Sequence, residues 1–372
     1  MSRLVASVLS VGSRPNRLLR LGFGAIVVAL IALTLLTRLL NVYPFSVDLE
    51  IPLRAAERWT SGGQPYLASA FSSPPGPTQP FVYPPYTLPF SAVLLQLPKQ
   101  ALQWTWFLAC LGSAVFSVRR LRLPIAWWPF AIGWSPFAEG IIGGNVQIVV
   151  FAGFVALFWH GRGPVTPFRP VERDIADPGE SALRLGGLSA LVGALKVSQF
   201  QPWLFLVRHR PAAAALGALM VLGLVLLTVP LTGVHLWLDW LQQLKRATDT
   251  TWELAGIALS RFTPPGVGLA VTAATTVAIL FLPNRQGAAA WIGVLSVWGA
   301  ASLHPFGLLF LVPAMLVIRR ELALIAAMLI ATTTYEGSWA GIVVVTAALA
   351  ATVRFPELRE PEEAPDQMLY AQ

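Results

Sequence analysis

Five places in the chain carry residue types whose spacing could support chemistry. Asp48 stands eight residues beyond an apolar stretch that ends at Leu40, at the start of an amphipathic segment. A carboxylate held at a membrane surface can take a proton from an acceptor hydroxyl; an Asp just before a helix is equally a favoured N-cap. Lys196 sits between Leu195 and Val197, midway through an apolar run. An ammonium at that depth must face water, a partner charge or an anionic ligand. With Ser198, Gln199 and Gln201 beside it, the site would suit a phosphate; the alternative is a structural carboxylate, for which Glu139, Glu253 and Glu336 are the candidates.

The other three patterns are polar breaks at the ends of apolar segments. In Tyr83-Pro84-Pro85-Tyr86 the two prolines suppress helix until Thr87, which makes a rigid elbow presenting both tyrosines or a turn with no chemistry. Gly143-Gly144-Asn145-Val146-Gln147 opens an apolar segment with two amides, which could bond neighbouring helices or a sugar. His304-Pro305 begins another, with the histidine either interfacial or catalytic.

The elements that position these residues follow from composition. Of 372 residues, 55% are hydrophobic and 12% charged, with mean hydropathy +0.64. Soluble domains carry about 25% charged residues, so a polytopic membrane chain is expected. The net charge of +8 points to basic cytoplasmic loops before nucleic acid. One cysteine, Cys110, excludes an intramolecular disulfide and a multi-thiolate zinc site. Four isolated histidines carry no metal signature, and the first loop has no Asp-x-Asp pair, its nearest approach being Asp48 with Glu50. No metal and no cofactor are expected.

Leu21 to Leu40 reads as an uncleaved first span, with Arg38 snorkelling near its far end. The loop Asn41 to Gln100 contains two interfacial helices. In the first, Ile51, Ala55 and Trp59 share one face and Pro52 fits the first turn; the second is Thr87 to Leu97. Further apolar segments run Leu102 to Val118, Pro124 to Phe137, Val146 to Trp159, Leu185 to Leu195, Pro202 to Val207, Ala212 to Val229, Val267 to Leu282, Ala288 to Ala301, Phe306 to Ile318, Leu322 to Thr332 and Ser338 to Val353. Several are too short to cross alone, so an irregular bundle is expected.

Basic residues orient the chain. With Leu185 to Val207 folded as a hairpin there are twelve crossings and both termini are cytoplasmic. Eighteen Lys and Arg then fall inside and six outside, whereas a straight helix there leaves 14 against 10. Asp48, Tyr83, Asn145, Lys196 and His304 all fall on the extracytoplasmic side. So do the loops 41–100 and 230–266, the second with Trp237, Trp240 and Trp252 expected at headgroup level.

Asp48 with Gly63 and Tyr66, the Tyr83-Pro84-Pro85 elbow, Gly144-Asn145-Val146-Gln147, the Gly-Gly-Leu run ending at Lys196 and the His304 helix start form an ordered set. That set resembles the polyprenyl-phosphate-sugar-dependent glycosyltransferases of the GT-C superfamily, specifically glycosyltransferase family 87, related to bacterial alpha-mannosyltransferases. The resemblance spans about Leu21 to Met315. It implies an integral-membrane hexosyltransferase that moves a sugar, mannose by the resemblance, from a polyprenyl-phosphate donor to a glycolipid or glycan acceptor with inversion. Asp48 would be the general base, Lys196 a contact to the donor phosphate, and Tyr83, His304, Asn145 and Gln147 would line the cavity.

The expected architecture is an all-α polytopic membrane protein, a GT-C-like bundle of about 12 transmembrane segments forming one domain over 1–353, with a disordered cytoplasmic tail at 354–372. It belongs in the plasma membrane with its site extracytoplasmic. Its partners would be the lipid-linked donor, the acceptor and the bilayer, not nucleic acid. The rival readings are a transporter or flippase of a lipid-linked sugar, and a non-catalytic scaffold for envelope assembly. No internal repeat of the transporter kind is evident.

Overall fold

The computed structural model describes residues 45–67, 80–159, 172–177, 179–249, 256–332 and 337–354, with residues 25 and 29. The rest of the expected first span with Arg38, most of the loop Gly161 to Ser181, Trp252, Glu253, Glu336 and the tail beyond Arg354 lie outside the described residues. Among the described residues all regular structure is helical, apart from isolated bridges between Trp159 and Glu172 and between Gly256 and Leu303.

The first helix of the loop, α1 (Val47–Thr60), buries Ile51 and Ala55 with Trp59 packed on the same cluster, as its pattern requires. It starts earlier than expected. Ser46 adopts a left-handed conformation (φ 58°) and its N–H bonds the Ile142 carbonyl at 2.8 Å, which fixes the start at Val47. Asp48 therefore lies inside the first turn and is not the N-cap. Pro52 falls in the second turn, not the first, and lacks the N–H that would have bonded the Asp48 carbonyl four residues back. The second interfacial helix, α2 (Thr87–Leu94), stops three residues short of Leu97.

Two described helices, α3 (Lys99–Arg120) and α9 (Pro211–Thr232), are long and apolar enough to cross a membrane. The segment expected as one span over Pro124 to Phe137 is instead a 3-10 turn (Ile125–Trp127), α4 (Trp128–Gly133) and α5 (Ser135–Gly143). The break falls at Trp134, extended at ψ 136° ahead of Pro136, whose ring removes a helical donor. The remaining apolar helices are α6 (Gln147–Phe158), α7 (Ala182–Leu195), α8 (Gln201–His209), α11 (Pro265–Phe281), α12 (Ala288–Trp298), α14 (Arg320–Thr332) and α15 (Ser338–Arg354). Between α9 and α11 lies α10 (Val234–Asp249), and the expected span from Phe306 opens as a 3-10 turn (Pro305–Leu311) running into α13 (Val312–Met315).

The core forms around α6, which is buried on nearly every side. Phe151 and Phe154 meet Phe137 and Phe310, with the Phe154 and Phe310 ring centroids 4.7 Å apart. Helices α7 and α9 pack closely because Gly186 and Gly217 face each other: a Cβ on Gly186 would stand 2.7 Å from the Ala213 carbonyl oxygen. Small residues let backbones approach where lipid offers no hydrophobic drive. Outward, α9 exposes Leu219, Leu222, Leu226, Leu227 and Leu231, and α3 exposes Trp104 and Leu108. Such an apolar exterior suits acyl chains and marks a membrane protein.

Polar contacts gather at two opposite ends. At one, Arg120 bonds the Trp159 carbonyl, Glu172 accepts from the Gly287 and Ala289 N–H groups, Asn284 bonds Asp174, and His209 meets the Leu282 carbonyl. Arg210 also reaches the Ile175, Asp177 and Glu180 carbonyls there, so the chain leaving at Ser181 returns to the same end and Leu185 to Val207 doubles back. The other end holds the two long loops. Trp240 donates to the Val82 carbonyl at 3.0 Å and Gln64 to Asp239 at 2.9 Å. Trp237 packs 6.0 Å from Tyr86. Both tryptophans thus tie the loops together, where headgroup contact was expected for them.

A reporter fused after Gln372 and another near Ser181 are expected to report cytoplasm, and one near Ser73 the outside, because this arrangement puts 18 basic residues inside and six outside. An external C-terminus would overturn the orientation.

Candidate functional site

Three separate chain segments meet at the loop-bearing end. Asn145 lies between α5 and α6, where Gly144 takes a left-handed turn (φ 69°) that side chains other than glycine rarely adopt. The Asn145 N–H bonds the Gly140 carbonyl at 2.7 Å, and Trp106 of α3 donates to the Gly144 carbonyl at 2.7 Å. Its Oδ1 accepts the Gln147 N–H at 2.8 Å, capping the start of α6. With Oδ1 so engaged, the amide NH2 must point the other way, and Nδ2 donates to Asp48 Oδ2 at 2.8 Å. Asp48 was the residue expected to cap a helix; the side chain that does so here is Asn145, and Asp48 is what it holds.

Lys196 enters from the turn between α7 and α8, in extended conformation at the end of α7. Its Nζ lies 5.5 Å from the Phe306 ring centroid and its charge acts on Asp48. The carboxylate whose charge reaches this ammonium is thus Asp48, although no ion pair closes between them among the described residues. Burial raises the Asp48 carboxyl above its ordinary range, while the Asn145 hydrogen bond and the Lys196 charge act in the opposite sense. Glu50, two residues on and facing away from Asp48, is held by Lys99 at 2.6 Å and Arg54 at 3.3 Å. Burial alone would raise Glu50, yet these cations hold it below the usual carboxylate range. The two carboxylates therefore face different surroundings and do not act as a pair.

Of the other expected residues, Tyr83 comes within electrostatic reach of Asp48, and burial first, then that charge, pushes its phenol up. Its carbonyl accepts from the Tyr66 hydroxyl at 2.9 Å, which fixes the elbow. His304 stacks on Phe306 at 5.4 Å and so joins the site through that ring. Gln147 is wholly buried and neither atom of its side-chain amide makes a hydrogen bond. Its link to Asn145 is through its backbone N–H. Sequence reasoning missed Phe306, two residues beyond His304, since no pattern distinguishes a ring beneath an ammonium from a core phenylalanine. It also missed how Tyr86 serves: the hydroxyl donates to the Ala194 carbonyl at 2.6 Å, tying the elbow to the chain just before Lys196.

A partly buried carboxylate can accept a proton from one group, while an ammonium within electrostatic reach of it offsets negative charge on another. Comparison with known proteins identifies the class of chemistry. No curated protein and no solved structure matches the chain. The model of glycosyltransferase family 87 matches residues 81–298, a range that contains Tyr83, Asn145, Gln147 and Lys196 and stops short of Asp48 and His304. Over more than half its length the sequence fits that one description, and the chain belongs to glycosyltransferase family 87.

Proposed function

We propose that the protein transfers a sugar, mannose in the closest reading of its motifs, from a polyprenyl-phosphate donor to a glycolipid or glycan acceptor at the extracytoplasmic face. The observation that carries this reading is the hydrogen bond from Asn145 to Asp48 with the Lys196 charge within electrostatic reach, three distant segments brought to one place. Asp48 takes the proton of the acceptor hydroxyl. The acceptor oxygen bonds the anomeric carbon from the face opposite the phosphate, the bond from that carbon to the phosphate oxygen breaks, and the configuration inverts. The negative charge left on the lipid phosphate falls to Lys196. Because a lipid-phosphate sugar arrives activated, a base and a cation in a water-poor site supply what the step requires.

Buried polar atoms without hydrogen bonds support a hydroxyl-rich ligand. Around the site these are Ser46 Oγ, both amide atoms of Gln147, and the Oε1 atoms of Gln199 and Gln201. Such groups cost about 1–3 kcal/mol each while unsatisfied, and sugar hydroxyls both donate and accept.

Purified protein given labelled polyprenyl-phosphate-mannose and a membrane extract is expected to yield a labelled acceptor. Asp48→Asn keeps size and a hydrogen bond to Asn145 but accepts no proton, so transfer should fall roughly 10²–10⁴-fold with thermal stability and donor binding near wild type. Transfer within a few fold of wild type would remove Asp48 as the base.

The pH dependence has a defined sign. The base works ionised and burial raises its pKa, so activity rises with pH through a limb above the ordinary carboxylate range. Asn145→Ala removes a hydrogen bond that favours the ionised form. The acidic limb of kcat/KM should therefore move to higher pH, and a limb that stays in place would show that the amide does not tune Asp48.

Lys196→Ala should weaken use of the donor by about ten- to a hundredfold, the worth of one charge-assisted contact to phosphate. Unchanged donor KM and turnover would remove Lys196 from the reaction.

A further inference from the structure

At the end of the bundle away from Asp48, three guanidiniums gather with little opposing charge. Arg120 closes α3 and donates from Nε to the Trp159 carbonyl at 2.7 Å. Arg184 stands in the first turn of α7, and Arg173 lies in the chain segment leading to it, 3% exposed. The three are close enough to repel: burial first, then Arg184 and Arg120, lowers the Arg173 pKa to about 10. Glu180 is the carboxylate that answers them, paired with Arg173 and 3.9 Å from Arg184.

Neighbouring carboxylates are engaged elsewhere. Glu172 accepts from the Gly287 and Ala289 N–H groups at 2.5 and 2.6 Å, Asp174 from Asn284 at 2.6 Å, and Asp177 from the Gly179 N–H at 2.9 Å. Arg173 Nε and Nη2 are buried and make no hydrogen bond among the described residues. A buried guanidinium with unmade hydrogen bonds is costly, and a site with more cations than carboxylates invites an anion with several acceptor oxygens. Phosphate has that geometry.

The surroundings favour a lipid as its source. Phe116, one turn before Arg120 on the same face of α3, is 42% exposed, and Leu183, beside Arg184, is 62% exposed. Both are apolar surface next to the charged cluster, where an acyl chain continues from a headgroup.

We propose that Arg120, Arg173 and Arg184 form a binding site for the phosphate headgroup of an anionic phospholipid, its chains lying along Phe116 and Leu183. The site is separate from Asp48, so its failure leaves the reading of the transfer reaction untouched.

The test uses the full-length purified protein with phosphatidylglycerol, phosphatidylcholine or inorganic phosphate, and reads bound lipid by native mass spectrometry. Phosphatidylglycerol is expected to be retained about tenfold better than phosphatidylcholine. Arg120→Gln with Arg184→Gln should cost about ten- to thirtyfold of that affinity, the worth of two basic residues at a lipid headgroup. The charge-matched pair Lys245→Gln with Arg319→Gln, exposed residues elsewhere on the chain, should keep the preference within about twofold. If the first pair fails to fold, Arg184→Gln alone, half-exposed, should still cost about fivefold. Equal retention of the two lipids, an unchanged preference in the cluster variants, or an equal loss in the control pair would overturn the proposal. Displacement of phosphatidylglycerol by millimolar inorganic phosphate would also overturn it, as evidence of a free-anion site.

Discussion

The loop-bearing end of this protein is organised around one carboxylate, Asp48, held partly out of water. Burial disfavours the charged form of Asp48, and two influences act against that penalty: the hydrogen bond from the Asn145 amide at 2.8 Å and the charge of Lys196. Neither partner is near Asp48 in sequence. Much of the local architecture follows from the need to bring them there. Asn145 is aimed because its own oxygen is committed to the Gln147 N–H, and the turn carrying it is held by Gly144 and by the Trp106 indole. Ser46 accepts a left-handed backbone, a conformation that costs a non-glycine residue about 1–3 kcal/mol, and in return α1 is pinned to the Ile142 carbonyl in the register that points Asp48 at the amide.

The same requirement accounts for the irregular helices. Polar turns at Asn145, Lys196 and His304 can sit within an apolar bundle only when other helices cover their backbone groups. The helices flanking them are accordingly short, and their ends are tied by side chains as well as by backbone. Tyr86 bonds the Ala194 carbonyl just before Lys196, and the 3-10 turn from Pro305 carries Phe306 beneath the ammonium. By contrast α3 and α9, which carry the apolar exterior, run 22 residues each, and α3 meets the Asn145 turn only through side chains such as Trp106. Length and regularity thus divide by task, with unbroken helices outside and broken ones around the polar centre.

The two ends also differ in how they treat charge. At the Asp48 end a carboxylate and an ammonium balance each other among amides and aromatic rings. At the other, guanidiniums outnumber the carboxylate paired with them, and Arg210 is absorbed by backbone carbonyls that close the loop before α7. A balanced, partly dry pair suits proton and phosphate chemistry, because its field is not screened. An unbalanced cationic rim suits attraction to an anionic surface, where each charge adds a modest increment.

Much of this was legible in the sequence because it depends on local chemistry. Hydropathy and the scarcity of charge established a helical membrane chain, and the spacing of Ile51, Ala55 and Trp59 established the buried face of α1. The order of Asp48, Tyr83, Asn145 and Lys196 pointed to the family whose model matches residues 81–298, since motif order survives in one dimension. The tertiary structure decided what each polar residue touches. Local sequence offered Asp48 as an N-cap, and a long-range contact made it the residue that Asn145 holds. Local pattern offered Lys196 several carboxylates, and the fold brought its charge within electrostatic reach of another, Asp48. Pro52 fitted a first turn by propensity, and the anchoring of Ser46 to α5 moved the helix start and placed it in the second. Phe306 carried no signal at all, because a ring becomes a cation's partner only when a distant turn delivers the cation to its face. Burial, hydrogen-bond direction and charge pairing act through space, so residues 97 positions apart, as Asp48 and Asn145 are, acquire their roles only in the folded chain.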